Sequence, residues 1–253
     1  MISQEIQWLL TEKYGGTENE EFRADCARLE AGEPLGYVIG QVPFLDCQIW
    51  LDSKPLIPRV ETEYWTEQVI TQIKDLQASQ SVPVRVLDLC AGSGAVGIAV
   101  AQAIPTAHVT FIEIDSGHLS TIKKNLTHNL KMDVHSSSTQ YPIIASDLFT
   151  EVTGQFDFIL TNPPYIDAAA NTVEESVHTH EPHLALFGGA DGMEIIDQII
   201  TEASTHLTSK TGQLWLEHEP FQRQAIATLA AEAGFDCTHH HDQYHTVRYS
   251  ILR

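Results

Sequence analysis

The sequence predicts an α/β fold with a doubly wound, mostly parallel sheet. From Val84 onward, short apolar runs alternate with segments of helical periodicity, which is the pattern of parallel strands joined by covering helices. Directly after the first of these runs comes a glycine-rich turn, Gly92-x-Gly94-x-x-Gly97, of the kind at which open α/β sheets bind nucleotides. The chain of 253 residues, of which 43% are apolar, is long enough for one such domain with a small appendage.

The composition and the first residues narrow the class of protein. No apolar run is long enough to cross a bilayer and the first residues form no signal peptide, so we expect no membrane contact and a cytoplasmic location. The formal charge of −20 would repel a phosphate backbone, so we expect no direct nucleic acid partner. An alternative explanation of the same charge is an acidic surface that serves only to keep the protein soluble.

Two short helices are predicted for residues 1–32. Apolar residues recur on one helical face until Gly15 and Gly16 end the pattern. Thr17 and Glu20 then have the spacing of a capping box for a second helix. These residues therefore form a helical segment of their own.

The next segment, residues 33–60, changes to short alternating runs. Gly36 to Gly40 and Cys47 to Leu51 have the length and composition of strands bounded by turn residues. We expect them to form the two arms of a β-hairpin linker or, alternatively, an extended linker. The third region, residues 61–253, begins with a helix from about Glu61 to Gln77.

Strands and helices alternate through the rest of this region. Strands are predicted at Val84 to Leu89, His108 to Glu113, Tyr141 to Ala145, Phe156 to Thr161 and Gln213 to Glu217, with a closing pair near Phe235 to His240 and Thr246 to Leu252. Helices are predicted at Ala95 to Ala103, His118 to Leu130, Met193 to Leu207 and Phe221 to Ala233. Two loops are predicted, His135 to Gln140 and Ile166 to Gly192, and the length of the second indicates a functional one.

A carboxylate follows the glycine turn at the end of the next predicted strand. Glycines let the backbone turn tightly and approach a ligand, and Glu113 stands where a carboxylate binds ribose hydroxyls in dinucleotide-binding proteins. Taken alone, this pattern is ambiguous and also fits a nicotinamide cofactor. A structural alternative is that Glu113 only ends the sheet and that Asp147, after the third strand, only caps a turn.

The tetrapeptide Asn162-Pro163-Pro164-Tyr165 follows a predicted buried strand. Proline has no backbone N–H and holds the residue before it extended. The loop therefore presents carbonyl oxygens and the Asn162 side chain to whatever binds. It suits a ligand with N–H donors, such as a planar amino or amide group whose nitrogen is held there for chemistry.

Several sequence blocks, in their order and spacing, resemble one known family. The chain is similar to the HemK/PrmC family of glutamine methyltransferases that modify peptide chain release factors, over about residues 33–253 and with a shortened amino-terminal domain. The Asn-Pro-Pro-Tyr block also occurs in adenine and guanine amino methyltransferases, whereas the Ile-Pro-Arg block is narrower and favours the release-factor enzyme over its ribosomal-protein relative. The blocks are Pro34 to Gly40, Leu56 to Glu63, Asp88 to Gly94, Asn162 to Ile166, Glu181-Pro182 and Gly188 to Gly192.

This resemblance implies a class I methyltransferase domain with an antiparallel closing strand, S-adenosylmethionine as the cofactor and a release factor as the protein partner. It implies methyl transfer to the side-chain amide nitrogen of a glutamine, namely the glutamine of the Gly-Gly-Gln motif in peptide chain release factors. The alternatives are ribosomal-protein glutamine methylation, nucleic-acid amino methylation and a nicotinamide-binding Rossmann protein. The implied cofactor-binding residues are Asp88, Cys90, Ala91, Gly92, Ser93, Gly94, Glu113, Asp147, Leu148 and Asn162.

The substrate amide is expected at the Asn-Pro-Pro-Tyr loop. An amide nitrogen is a poor nucleophile because its lone pair is delocalised, so its methylation demands positioning. We expect the Asn162 side-chain oxygen and the Pro163 carbonyl to accept the two N–H groups of the glutamine. Tyr165 packs against the amide plane or closes the pocket, with a purely structural role as the alternative. Pro164 and Arg59 complete the predicted substrate-binding residues.

Two charged groups have competing interpretations. Arg59 either contacts the substrate or joins Glu61 and Glu63 in a structural ion-pair cluster. The histidines between residues 178 and 183 suggest a metal site, but their irregular spacing favours a solvated lid, so we predict no metal.

Overall fold

The structure, a computed structural model, describes residues 2–132, 140–169, 174–209 and 211–253. Three helices open the chain: α1 spans Ile2–Glu12, α2 spans Glu20–Glu30 and α3 spans Leu35–Ile39. They enclose a small apolar cluster of their own, which contains Leu9, Phe22, Leu29 and Val38. The two helices predicted for this part are present, and α3 is additional.

The start of α2 differs from the prediction. The N-cap is Asn19, whose side chain accepts a hydrogen bond from the backbone N–H of Phe22 at 2.8 Å. Thr17 lies earlier, in the connecting turn, where its own N–H is bonded to the carbonyl of Tyr14. The capping-box prediction was wrong because Asn19 has the extended backbone that aims a short side chain at the first helical turn.

The β-hairpin begins later than predicted. Strand β1 spans Gln41–Phe44 and pairs antiparallel with β2, Cys47–Trp50. The predicted first arm, Gly36 to Gly40, is helical up to Ile39 and was therefore wrong. The physical reason is local, because Pro34 precedes the first helical residue and Gly40 ends the helix in the left-handed conformation, with φ of 93°.

The remaining elements form one covered sheet, preceded by α4 at Val60–Ser79. Its parallel strands are β3 (Arg85–Leu89), β4 (His108–Glu113), β5 (Ile143–Ala145), β6 (Phe158–Thr161) and β7 (Gln213–Glu217), and its closing pair is β8 (Cys237–His241) and β9 (Val247–Leu252). The helices are α5 (Ala95–Ala103), α6 (Leu119–Asn129), α7 (Glu175–His180), α8 (His183–Leu186), α9 (Glu194–His206) and α10 (Arg223–Glu232). Among the described helices, none is long and apolar enough to cross a membrane.

The sheet has the strand order β5-β4-β3-β6-β7-β9-β8, with β9 antiparallel to β7. Side chains of β3 alternate between two cores: Val86 packs with the α4 and α5 side, whereas Leu87 and Leu89 pack with the α9 and α10 side. This confirms the predicted doubly wound α/β fold and its antiparallel closing strand. The chain reverses its direction of travel across the sheet between β3 and β6, where such folds open a crevice at the carboxyl ends of the strands.

The hairpin is held against this domain by two side chains of α6. Asn125 accepts the N–H of Trp50 at 2.8 Å and donates to its carbonyl at 3.0 Å. Asn129 does the same for Gln48, at 2.9 and 2.8 Å. The two amides thus satisfy the free edge of β2 in the way that a neighbouring strand would.

The segment from Ile166 to Gly192 is only partly a loop. It contains α7 and α8, and its ends are joined where the Ile166 N–H bonds to the Leu186 carbonyl at 2.9 Å and the Gly188 N–H bonds to the Ile166 carbonyl at 3.0 Å. The loop prediction was wrong for these helical turns, which are too short for periodicity to reveal. Residues 170–173 of this segment, and residues 135–139 of the other predicted loop, lie outside the described residues.

Candidate active site

A pocket opens at the carboxyl ends of β3, β4 and β6, on the side where the strand order reverses. Most of the residues predicted to bind the cofactor lie in its wall, together with Pro164 from the predicted substrate set. The predicted residues in the wall are Asp88, Cys90, Ala91, Gly92, Ser93, Glu113, Asp147, Leu148, Asn162 and Pro164. Gly94, Pro163, Tyr165 and Arg59 are not part of the wall.

The glycine turn between β3 and α5 lies directly against the sheet. Gly94 precedes α5 with φ of 79°, a left-handed conformation that a side chain disfavours. A Cβ atom on Gly97 would lie 2.5 Å from the Phe111 ring and 2.8 Å from Asp88 Oδ2. The motif spacing is therefore set partly by packing of the helix on the strands.

Asp88 is the buried carboxylate at the floor of this turn. Its side chain lines the pocket, and its Oδ2 accepts the N–H of Gly97 at 2.8 Å. Burial raises the pKa of Asp88 to about 8, and the Gly97 hydrogen bond opposes that rise while the charge of Glu113 adds to it. Near neutral pH the folded protein therefore tends to hold a proton here.

This proton predicts an unusual pH dependence of stability. An unfolded Asp has a pKa near 3.8, so between about pH 4 and 8 the folded state binds more protons than the unfolded state. The free energy of unfolding then decreases as pH rises through this window, and Asp88→Asn, neutral at every pH, lacks the decrease. We expect urea unfolding, measured without cofactor, to show this in the free energy of unfolding. The value for Asp88→Asn minus that for the wild type should increase by a few kcal/mol (order of magnitude) between pH 4 and pH 8. A constant difference across this range would contradict the raised pKa.

Glu113, at the end of β4, is already engaged by the backbone. Its Oε2 accepts the N–H of Gly92 at 2.7 Å and its Oε1 accepts the N–H of Asp115 at 2.8 Å. Each carboxylate oxygen has a second lone pair, so the group is able to accept two further donors such as vicinal hydroxyls. Besides the predicted ligand role, Glu113 therefore holds the glycine turn against the next strand, which the sequence analysis did not predict.

Other parts of the wall combine an exposed carboxylate with apolar side chains. Asp147 is exposed beside Leu148, which has a left-handed backbone with φ of 43°. Ile114 lines the pocket although 47% of its surface is exposed, and no sequence motif marks it as a site residue. Burial raises the pKa of the Cys90 thiol to about 12, which makes it unsuited to act as a nucleophile.

Asn162 stands where β6 ends and projects from the Asn-Pro-Pro-Tyr loop into the pocket wall. Its Nδ2 donates a hydrogen bond to Thr62 Oγ1, on α4, at 3.1 Å. Within the described residues, no group donates a hydrogen bond to Asn162 Oδ1 or to the carbonyl of Pro163. Both acceptors therefore lack an internal donor at the loop that was expected to hold an amide, with Asn162 in the pocket wall and Pro163 buried behind it.

A buried acid behind the loop was missed by the sequence analysis. Glu217, at the end of β7, is 1% exposed and accepts hydrogen bonds from Thr62 Oγ1 and Trp65 Nε1, both at 2.7 Å, and from Tyr165 OH at 3.0 Å. Burial raises its pKa, while these three donors oppose the rise. The position of Glu217 was a usable signal, because β7 is parallel to β6 and their carboxyl ends meet at one edge.

Arg59 forms its ion pair with Glu181, and not with Glu61 or Glu63 as in the predicted cluster. Its guanidinium pairs with Glu181, which also accepts the N–H of Ile57 at 3.2 Å, while Glu63 accepts the N–H of Leu45. The cluster with Glu61 and Glu63 was therefore wrong, since the partner comes from the segment between α7 and α8. Within the described ranges, no group of three or more His, Cys, Asp or Glu side chains is arranged to hold a metal ion.

Comparison with known proteins gives sequence relatives over most of the chain. Residues 71–191 match the family model of the methyltransferase small domain. The release factor glutamine methyltransferase of Rhodopirellula baltica is 34% identical over 216 residues, which cover 84% of this chain and 70% of the relative. The ribosomal protein uL3 glutamine methyltransferase of Francisella tularensis subsp. tularensis is 34% identical over 203 residues, covering 79% of this chain and 60% of the relative.

A solved structure supports the fold at much lower identity. The catalytic domain of hMettl16, in complex with the MAT2A 3'UTR hairpin 6, has a TM-score of 0.61 and 16% identity, with 81% of this chain and 74% of that chain covered. At this identity the likeness concerns the fold alone.

Proposed function

Since the chain belongs to the family of release factor glutamine methyltransferases, we propose that it methylates the side-chain amide nitrogen of the glutamine in the Gly-Gly-Gln motif of a peptide chain release factor. The predicted family, the class I methyltransferase fold and the cofactor S-adenosylmethionine are confirmed. It is an enzyme of protein glutamine methylation. The release factor as its particular substrate, and the site residues, are proposals.

The observation that carries the proposal is that two acceptors of the Asn-Pro-Pro-Tyr loop, Asn162 Oδ1 and the Pro163 carbonyl, have no donor among the described residues. Asn162 Nδ2 is occupied by Thr62, which leaves Asn162 Oδ1 and the Pro163 carbonyl to receive two N–H donors. A primary carboxamide presents two such donors in one plane. Holding both fixes the direction of the amide nitrogen, and this positioning supplies several kcal/mol (order of magnitude) of the barrier reduction.

The pocket beside this loop fits the cofactor. Glu113 retains lone pairs that could accept hydrogen bonds from the ribose hydroxyls. Asp147, exposed after the next strand, offers a carboxylate to the adenine ring of the cofactor. Bound S-adenosylmethionine supplies an electrophilic methyl group. The residues of this chain orient the amide, and the methylated nitrogen then loses its extra proton to water without a strong base.

Two other substrates use the same chemistry. A ribosomal-protein glutamine would bind the same acceptors, and one relative is named for that reaction. An adenine or guanine amino group would also fit the loop, but a formal charge of −20 opposes approach of a phosphate backbone. The narrower Ile-Pro-Arg block, at Ile57, Pro58 and Arg59, favours the release factor as the substrate. Because release factors act at the ribosome, we propose that the enzyme is located in the cytoplasm.

Mass spectrometry of the products tests the proposal. Purified release factor, ribosomal protein uL3 and total RNA are each incubated with the enzyme and S-adenosylmethionine. We expect one added methyl group on the peptide that contains Gly-Gly-Gln, with fragment ions that place it on the glutamine side chain, and none when that glutamine is replaced by alanine. Methylation of uL3 or RNA but not of the release factor would reject the proposed substrate.

A further inference from the structure

The carboxylate behind the Asn-Pro-Pro-Tyr loop is surrounded by donors from two distant parts of the chain. Thr62 and Trp65 come from the first turns of α4, and Tyr165 comes from the loop itself. The three hydrogen bonds to Glu217 are 2.7 to 3.0 Å long and lie in the interior of the protein. Asn162 joins this network to the proposed substrate position through its bond to Thr62, and Thr62 itself also lines the pocket.

The direction of each proton in this network follows from the groups present. Trp65 Nε1 is a donor only, so Glu217 Oε2 must act as an acceptor. Thr62 has one hydroxyl proton, and when Glu217 is ionised Thr62 gives this proton to the same Oε2 at 2.7 Å. Thr62 Oγ1 is then left with lone pairs alone, and only the NH₂ end of the Asn162 amide is able to bond to it.

We propose that Thr62 and Glu217 are positioning residues that orient the Asn162 amide with its oxygen toward the substrate. Without them the amide is free to rotate by half a turn, which would present NH₂ to an incoming NH₂ and remove one of the two acceptors. This inference rests on the proposed function, because it concerns how a carboxamide is recognised. It also assigns Tyr165 to the same network, since its hydroxyl is directed at Glu217 and not at the pocket wall.

Matched substitutions on one helix test this role. Thr62→Val removes the hydroxyl and keeps the shape of the side chain, whereas Thr62→Ser keeps the hydroxyl. Thr66→Val is the control, because Thr66 is also buried, lies one turn further along α4 and uses its hydroxyl to bond to the Thr62 carbonyl at 2.7 Å. We expect Thr62→Val to lower kcat on release factor by about 10 to 100-fold, and Thr62→Ser and Thr66→Val to stay within about threefold of the wild type.

A second measurement reports the direction of the amide itself. A release factor whose Gly-Gly-Gln is changed to Gly-Gly-Glu presents carboxylate oxygens, which the Asn162 oxygen of the wild type rejects. In Thr62→Val the amide is able to turn its NH₂ toward that carboxylate. We therefore expect the preference for binding Gln over Glu release factor to fall by about tenfold or more in Thr62→Val and to remain in Thr66→Val.

The outcomes separate this inference from the proposed function. Wild-type kcat in Thr62→Val, or an unchanged preference for Gln over Glu, would overturn the positioning role while leaving the substrate assignment intact. Absence of methyl transfer to release factor by the wild type would instead reject the substrate assignment. Thr62→Ala, which adds no methyl group to the interior, replaces Thr62→Val if that variant does not fold, with the same expected loss.

Discussion

Replacing Asn162 by alanine is expected to lower kcat for methyl transfer by about 1,000-fold, because the substitution removes the acceptor that we propose fixes the substrate amide. The Pro163 carbonyl remains, but a single acceptor leaves the amide plane free to rotate about that hydrogen bond. S-Adenosylmethionine affinity should change by no more than about threefold, since Asn162 is only one of the residues expected to bind the cofactor and Glu113, Asp147 and the glycine turn are untouched. Single-turnover assays at saturating release factor, together with calorimetric titration of the cofactor, measure the two effects separately.

A matched asparagine elsewhere provides the control for this prediction. Asn129 is also half-buried and hydrogen-bonded, but it lies on α6 and contacts the hairpin at Gln48. Asn129→Ala should leave kcat within about threefold of the wild type, although it removes three hydrogen bonds. If Asn162→Ala retained full turnover, the proposed substrate site would be rejected.

Replacing Gly192 by alanine is expected to destabilise the protein by about 3 to 5 kcal/mol, or about 10 °C in Tm. Gly192 has a left-handed backbone with φ of 67°, which a side chain disfavours. A Cβ at this position would also overlap the backbone carbonyl of Tyr165 and lie 2.8 Å from Gln222 Nε2. That amide donates to the carbonyls of Tyr165 and Gly192, at 2.9 and 3.2 Å, so the Asn-Pro-Pro-Tyr loop must move to make room.

Gly234 separates backbone strain from this steric overlap. It has a similar left-handed conformation with φ of 85°, but a Cβ atom there would meet nothing within 4 Å. Gly234→Ala should therefore cost only about 1 kcal/mol, near 3 °C in Tm. Equal decreases in Tm in the two variants would contradict this explanation. They would show that contact with the Asn-Pro-Pro-Tyr loop is not the reason why position 192 requires glycine.

The sequence predicted the strands and long helices of the main domain well. The bounds of β4, β7 and α5 match the prediction, because each is a run of apolar residues flanked by clear turn signals. Errors fell on short elements. The helical turn before Gly40 and the two helices within residues 166–192 are too short to complete a periodic pattern, and tertiary contacts decide their conformation.

The glycine turn, the donor-poor loop at Asn162 and the strands that place both at one edge of the sheet could all be predicted from the amino-acid sequence. These features are local, since glycine, proline and period-two alternation act within a few residues. The partner of the Asn162 NH₂ group, by contrast, depends on the packing of distant segments. Thr62 lies 100 residues from Asn162 and 155 from Glu217, so their hydrogen bonds exist only because α4 packs beside the ends of β6 and β7.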